Sequence, residues 1–348
     1  MKRYFSLICF LAVAWYGYSQ NNLQLMTYNV RNAKGLDEKR DIQRIANVIL
    51  AAAPDVVAIQ EVDSMSARNH CHLLKEIGVR TSMHASFAPS LKFSIGKYGL
   101  GVLSKEPPIR TKRVELPGKE EKRVMLLVEF EDYVYCSAHL SLTYDDRLQS
   151  LDIIRSYAEK VNKPFFVAGD FNDFPNSEFI TNMSAEFNVL NDMTEFTFPA
   201  SVPDRTLDYI VSWKHTEGTA AVTGSKVIDE PLASDHRPVV VTLRRAVSPD
   251  AILSSGPYLQ GMTTDRVFIS WVTNVSANSW VEYSINDATL QNQVQAYPLY
   301  DDGTIHGADV TTLSSGDTLY YRICSQETLS EGKTGHTAKS DIQTYLVP

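Results

Sequence analysis

The sequence predicts an α/β fold for its first two-thirds and an all-β fold for its last third. Between Leu23 and about Leu243, short apolar runs alternate with amphipathic stretches of helical period, whereas beyond Ala246-Val247-Ser248-Pro249-Asp250 only two-residue alternation remains. In the first part strands outnumber helices, which suits two stacked sheets with helices outside. In the second, about one hundred residues of short strands separated by Asp, Gly, Ser and Asn turns suit a β-sandwich. The expected division is a leader at 1–20, a first domain at 21–246 and a second at 251–348.

In chain order, the leader comes first. Lys2 and Arg3 precede an apolar run from Tyr4 to Tyr16, and small and polar residues follow through Gln20, the pattern of an export signal. The run is shorter than the ~20 apolar residues a membrane span needs, and no later stretch could cross a bilayer. The mature protein is therefore expected outside the cytoplasm, periplasmic or extracellular. Strands are expected at Leu23 to Val30 and Val56 to Gln60. Between them Ile42, Ile45, Ala46 and Ile49 share one helical face. Further strands are expected at Gly99 to Leu103, Val124 to Phe130 and Tyr133 to Leu140. A second helix fits Asp145 to Val161, with Leu148, Leu151, Ile154 and Ala158 as its stripe and Asp145 and Asp146 in its first turn, where the helix dipole favours acids. Strands at Pro164 to Ala168 and Leu207 to Val211 follow. In the last third, Val267, Ile269 and Trp271, then Val281 and Tyr283, then Leu319, Tyr321 and Ile323 mark inward faces.

Composition sets the class. The 348 residues are 44% hydrophobic and 21% charged, ordinary for globular protein, and the formal net charge is −8. Losing Lys2 and Arg3 with the leader takes that charge to −10. An acidic chain is a poor clamp for polyanions, so no stable nucleic-acid complex is expected, although cleavage of nucleic acid is compatible with a metal supplying local positive charge. A monomer is expected. Cys71, Cys136 and Cys324 remain after the leader, an odd number, so they are read as small buried hydrophobes, with a Cys71–Cys136 bridge as the alternative.

Polar clusters stand at the ends of apolar runs. Glu61 closes Asp55-Val56-Val57-Ala58-Ile59-Gln60, and a single placed carboxylate is sufficient for magnesium, which keeps several waters. Asn29 ends the preceding strand and could support metal or phosphate. Asp170 and Asn172 follow Phe165-Phe166-Val167-Ala168-Gly169. They either close a turn through their own side chains or, if strand alternation aims both to one side, handle water and a phosphate oxygen. His139 ends one strand and His236 precedes another, and Asp208 is available to fix an imidazole tautomer for proton transfer. His70, His72, His84, His215, His306 and His336 lack such company and are read as surface residues. Paired zinc-ligand spacings, a Gly-rich phosphate loop and a nucleophilic serine elbow are all missing, so hard oxygen ligands favour Mg2+, with Mn2+ or Ca2+ as substitutes.

Seven segments in this order resemble the endonuclease/exonuclease/phosphatase superfamily, the DNase I-like fold: Met26 to Arg31, Ile59 to Asp63, Tyr98 to Ser104, Ser137 to Ser141, Gly169 to Asn172, Leu207 to Tyr209 and Ser234 to Pro238. The resemblance implies a four-layer α-β-β-α sandwich with a metal-dependent site at one sheet edge. It implies Glu61 as the principal magnesium ligand with Asn29 and Asp235 nearby. It also implies Asp170 and Asn172 on water and phosphate, His139 and His236 on phosphate and leaving group, and Asp208 orienting His236. Either Asp170 or His236 would be the base. The last third resembles the fibronectin type III-like module of purple acid phosphatases through Gly256 to Gln260 and Ser270-Trp271-Val272, which implies an accessory role. The expected activity is hydrolysis of a phosphoester, whether small molecule, lipid headgroup or nucleic acid. The alternatives are an inactive hydrolase fold serving glycan binding or adhesion, and a glycosidase using Glu61 and Asp170.

Overall fold

The computed structural model describes residues 22–215, 221–245, 249–329 and 334–348. The leader and residues 246–248 of the expected junction lie outside the described residues. The first thirteen strands are β1 (Asn22–Asn29), β2 (Val56–Ser66), β3 (Asn69–His72), β4 (His84–Phe93), β5 (Gly96–Ser104), β6 (Arg110–Leu116), β7 (Arg123–Glu129), β8 (Val134–His139), β9 (Phe165–Asp170), β10 (Phe187–Val189), β11 (Asp208–Trp213), β12 (Ala221–Val227) and β13 (Val239–Arg244). Four helices interrupt them: α1 (Ile42–Ala52), α2 (Leu73–Thr81), α3 (Tyr144–Ala158) and α4 (Glu178–Glu186).

These strands form two sheets. One runs β12-β13-β1-β2-β5-β4 with β3 on β2, and the other runs β10-β11-β9-β8-β7-β6. Leu25, Ala58, Val102 and Val241 of the first share a core with Val124, Leu126, Phe166 and Ile210 of the second. The opposite face of the first sheet packs Met26, Val57 and Leu103 on Ile45 and Ile49 of α1 and Leu74 and Ile77 of α2. The opposite face of the second packs Cys136, Val167 and Val211 on Leu151 and Ile154 of α3 and Phe179 and Met183 of α4. Each such fully buried aliphatic or aromatic side chain contributes about 1.5–3 kcal/mol relative to exposure.

Local signals explain the helices. Asp41 caps α1 through Arg44 N at 2.9 Å, and Ala53 ends it in the left-handed conformation. Ser177 caps α4 through Ile180 N at 3.1 Å. The periodicity that marks α1 and α3 is borne out: Ile45, Ala46 and Ile49 are buried on the one, and Leu151, Ile154 and Ala158 on the other. Helices α2 and α4 were not foreseen; each is only nine residues long, too short for its stripe to stand out from neighbouring strands.

The remaining strands are β14 (Leu253–Gln260), β15 (Arg266–Thr273), β16 (Ala277–Ile285), β17 (Asn292–Gln295), β18 (Tyr297–Pro298), β19 (Ile305–Thr311), β20 (Thr318–Thr328), β21 (Thr334–Lys339) and β22 (Gln343–Leu346). They form sheets β14-β15-β19-β18 and β17-β16-β20-β21, with β22 on β20. Val267, Ile269, Trp271, Val281, Leu319, Tyr321 and Ile323 share one core, as alternation requires. His306 corrects the surface reading: it is buried, stacked on Trp271 at 5.5 Å and bonded through Nε2 to Thr273 Oγ1 at 3.0 Å. A lone His among Asp and Gly turns reads as exposed, but the β15–β19 pairing places it opposite Trp271. Among the described residues Cys71, Cys136 and Cys324 are free; Cys136 and Cys324 are buried, and Cys71 is partly exposed.

Candidate phosphoester-hydrolysing site

The central strands of the two sheets deliver the polar residues. In the first sheet β1 lies parallel to β2, with Asn29 opposite Gln60. In the second, β8 lies parallel to β9 and puts His139 opposite Asp170, while antiparallel β11 puts Asp208 on the other side of Asp170. Gly169 makes this register possible. Its φ is +155°, and a Cβ there would stand 1.8 Å from the Ala138 carbonyl oxygen.

Asp170 is the hub. Its Oδ2 accepts from Asn29 Nδ2 at 3.2 Å and lies 3.5 Å from His139 Nε2 and 3.6 Å from His236 Nε2. Its Oδ1 accepts from Asn172 N at 2.9 Å. Burial holds the Asp170 carboxyl well above the usual range and the charge of Asp208 adds to this, against the opposing pull of His236. Burial would depress His236, yet the carboxylates of Asp208 and Asp170 outweigh it and hold the imidazolium well above an ordinary His. Asp208 Oδ2 lies 2.9 Å from His236 Nδ1 and accepts from Thr197 Oγ1 at 2.6 Å. The Phe198 ring covers His236 at 4.8 Å. His139 is driven the other way: burial, then the charges of Arg123 and His236, keep it neutral.

Glu61 does not close its strand as expected. It sits inside β2 at a break in the β2–β5 register between Ile59 and Val62, with φ +59°. An acid in left-handed backbone at a bulge is strained, and such strain collects at working sites. Glu61 Oε1 accepts from Asn29 Nδ2 at 3.2 Å, so one amide ties Glu61 to Asp170 across the two sheets. Burial raises the Glu61 carboxyl, the Asn29 bond opposes, and the nearby Asp235 charge adds to the rise. A buried carboxyl whose proton affinity is raised beside a second acid suits a hard divalent cation, which would relieve the Glu61 charge. Asn29 spends its own oxygen on Arg31 N at 3.2 Å and acts as a bridge between carboxylates. Asp235 is held 3.6 Å from Arg31 Nε and 3.3 Å from Ser234 Oγ.

A second set with metal-ligand spacing is Asp170, Asp208 and His236, whose ligand atoms lie within 4.8 Å of one another. His236 joins the two acids, with Nδ1 2.9 Å from Asp208 Oδ2 and Nε2 3.6 Å from Asp170 Oδ2; a metal there would require its imidazole neutral. Asn172 lies past the end of β9, with φ +52°, and its Nδ2 donates to Leu140 O at 3.0 Å. Its side chain thus ties the end of β9 to the residue after β8, while Asp170 closes its own turn by accepting from Asn172 N.

The structure brings Asn29, Glu61, His139, Asp170, Asp208 and His236 together through these contacts, with Asp235 bordering Glu61. Sequence reasoning missed Thr197, which receives Leu207 N at 3.1 Å and is thereby aimed at Asp208. It also missed Arg31, which pairs with Asp235, and Arg123, which pairs with Glu120 and Glu121 beside His139. Thr197 stands eleven positions before its carboxylate and carries no local signal. Ser234, within the Asp-His segment, donates to Asn29 O at 2.7 Å and fastens that segment to β1.

No curated protein matches the sequence. Among solved structures, an endonuclease/exonuclease/phosphatase from Beutenbergia cavernae is 19% identical, with a TM-score of 0.53 over 93% of this chain and 100% of that one. A mannosyl-6-phosphatase of Bacteroides thetaiotaomicron is 16% identical, with a TM-score of 0.53 over 64% and 99%. The human Nocturnin catalytic domain with bound sulfate is 18% identical, with a TM-score of 0.50 over 65% and 95%. At these identities the likeness is one of fold. The profile of the endonuclease/exonuclease/phosphatase family matches residues 26–236, more than half of the chain. This chain accordingly belongs to the endonuclease/exonuclease/phosphatase family and is a hydrolase of phosphoester bonds.

Proposed function

We propose that the protein is an exported, magnesium-dependent phosphoesterase that drives water attack on a compact phosphoester. The observation that carries the reading is the convergence of Asn29, His139 and His236 on Asp170 Oδ2 within 3.6 Å, from four separate segments. Glu61, with Asp235 and the Asn29 bridge beside it, would hold the cation. A bound divalent ion supplies charge neutralisation on the phosphate, a recognised means of lowering the barrier to attack by water.

The residues divide the remaining work. Asp170, its basicity raised by burial, takes a proton from the attacking water. His236, kept cationic and oriented by Asp208, donates to a phosphate oxygen and stabilises developing charge. His139, kept neutral, donates one hydrogen bond from its single N–H. Asn172 holds the Asp170 carboxylate through its backbone N–H.

We propose that the enzyme acts as a monomer; its charge supports the absence of a stable nucleic-acid complex. The chain is acidic, and Arg31, Arg123, Arg147 and Arg205 around the site each pair with a carboxylate. The three shared cores support a four-layer α-β-β-α frame, and the single core of residues 253–347 supports a fibronectin type III-like accessory module. Export rests on the Lys2-Arg3 and apolar leader; no helix among the described residues is long and apolar enough to cross a membrane. The test is a panel of bis-aryl phosphate, sugar phosphate, sphingomyelin, phosphoinositide, RNA and plasmid DNA, each assayed with magnesium and with chelator. Magnesium-dependent release from one class is expected, and turnover that ignores chelation on every substrate overturns the metal assignment. Fractionation and amino-terminal sequencing of the natural protein test export.

A further inference from the structure

Away from this site, a groove of about 680 Å³ runs between α2 and the first half of β4. Its origin is topological. β4 is the edge strand of its sheet, and α2 is nine residues long, so the helix seats Leu73, Leu74 and Ile77 without covering the whole face beside it. Met83 and Phe87 stay only partly buried, and Val79 of α2 is 69% exposed. A face left this bare on a folded sheet is an unfilled apolar contact.

The groove is apolar along its floor, and its exposed rim carries one lysine and two imidazoles. Leu74, Met83 and Phe87 line it together with His72, Lys75 and His84. Its acid, Asp63, is already neutralised by Arg68, with Nε at 2.7 Å and one terminal nitrogen at 2.9 Å. Among the described residues the Lys75 side chain makes no hydrogen bond or ion pair, whereas its neighbour Glu76 is closed against Arg80 at 2.6 Å. Ser64 Oγ fixes the His72 ring through Nδ1 at 2.7 Å. In a chain of net charge −8, the groove is lined by one cation, Lys75, with its acid already paired and two imidazoles beside it to donate hydrogen bonds. The volume falls within the ~300–1,000 Å³ of small-molecule sites.

We propose that this groove binds a small organic anion with an apolar body, a medium-chain carboxylate, its head against Lys75 and the two imidazoles and its body over Met83 and Phe87. The inference stands apart from the phosphoesterase reading, because none of these residues touches Asp170 or Glu61. Isothermal titration of the full chain with octanoate tests it, beside octanol and octyltrimethylammonium as neutral and cationic arms. Octanoate is expected to bind with a Kd near ~1 mM or tighter, the other two at least ~10-fold more weakly. Lys75→Glu and Val79→Asp, the latter at a lining residue that is largely exposed, should each weaken octanoate by ~10-fold or more while thermal unfolding and phosphoester turnover stay at parent values. Equal affinity for the cation, an unchanged Kd in Lys75→Glu, or no binding of octanoate up to the solubility of the probe overturns the proposal.

Discussion

Asp170 and His236 illustrate how burial and charge divide labour between two groups 3.6 Å apart. Removing either leaves the other with a buried partner missing. Asp170→Asn and His236→Gln are therefore expected to lower kcat by ~10²–10⁴-fold, the usual worth of a placed proton-transfer group, while circular dichroism stays that of the parent. Either variant turning over at the parent rate refutes the role given to it. The raised Asp170 carboxyl also sets a pH dependence. As the proposed base, Asp170 works only when deprotonated, so activity is expected to be absent where it keeps its proton and to appear as pH rises through a value displaced above the ordinary 3.8 of Asp. A kcat/KM profile in magnesium whose acid limb falls at the ordinary carboxylate value contradicts this.

Elements matter because the side chains are useless without their register. Gly169 allows β9 to lie against β8 closely enough for His139 to face Asp170. Gly169→Ala must push a methyl into the Ala138 carbonyl, so a loss of ~1–3 kcal/mol in urea unfolding is expected together with lost turnover, in the range of overpacking a tight contact. In the last third, β15 and β19 bury His306, and burial depresses its imidazole to about 4, against the weaker pull of Asp302. The folded state then binds fewer protons than the unfolded state, whose His titrates at about 6.5. The contribution is complete above that value and is lost as pH falls from about 6.5 to about 4. Urea unfolding of the parent should weaken over this window more steeply than that of His306→Gln; parallel curves would remove His306 as the cause.

At the scale of the whole molecule, the site joins two sheets that share a core, and Asn29 is the hydrogen-bonded link between a carboxylate of each. The cation proposed at Glu61 would bind the folded chain and not the unfolded one, so magnesium should raise the thermal midpoint of the parent and leave Glu61→Gln unmoved. A Glu61→Gln protein that magnesium stabilises as well as the parent places the ion elsewhere. Residues 253–347 keep a separate core, and Arg244 reaches Glu327 at 3.6 Å from the first part. A chain ended at residue 245 is expected to retain phosphoester turnover, and its inactivity would make the last third part of the working enzyme.

Much of this was legible in the sequence because both fold signals are local. The Ile45 and Ile49 stripe and the Val267-Ile269-Trp271 alternation announce their elements within ten residues, and motifs such as Gly169-Asp170-Phe171-Asn172 carry their chemistry in one short segment. Other features depend on partners far along the chain. The bulge that twists Glu61 into left-handed backbone, the aim of Thr197 at Asp208, the tie of Asn172 to Leu140 and the burial of His306 all follow from pairing between strands. Sequence by itself determined which residue types the chain carries and the period in which they recur. Tertiary structure decided which of them meet, because proton affinity and backbone strain are set by neighbours in space rather than along the chain.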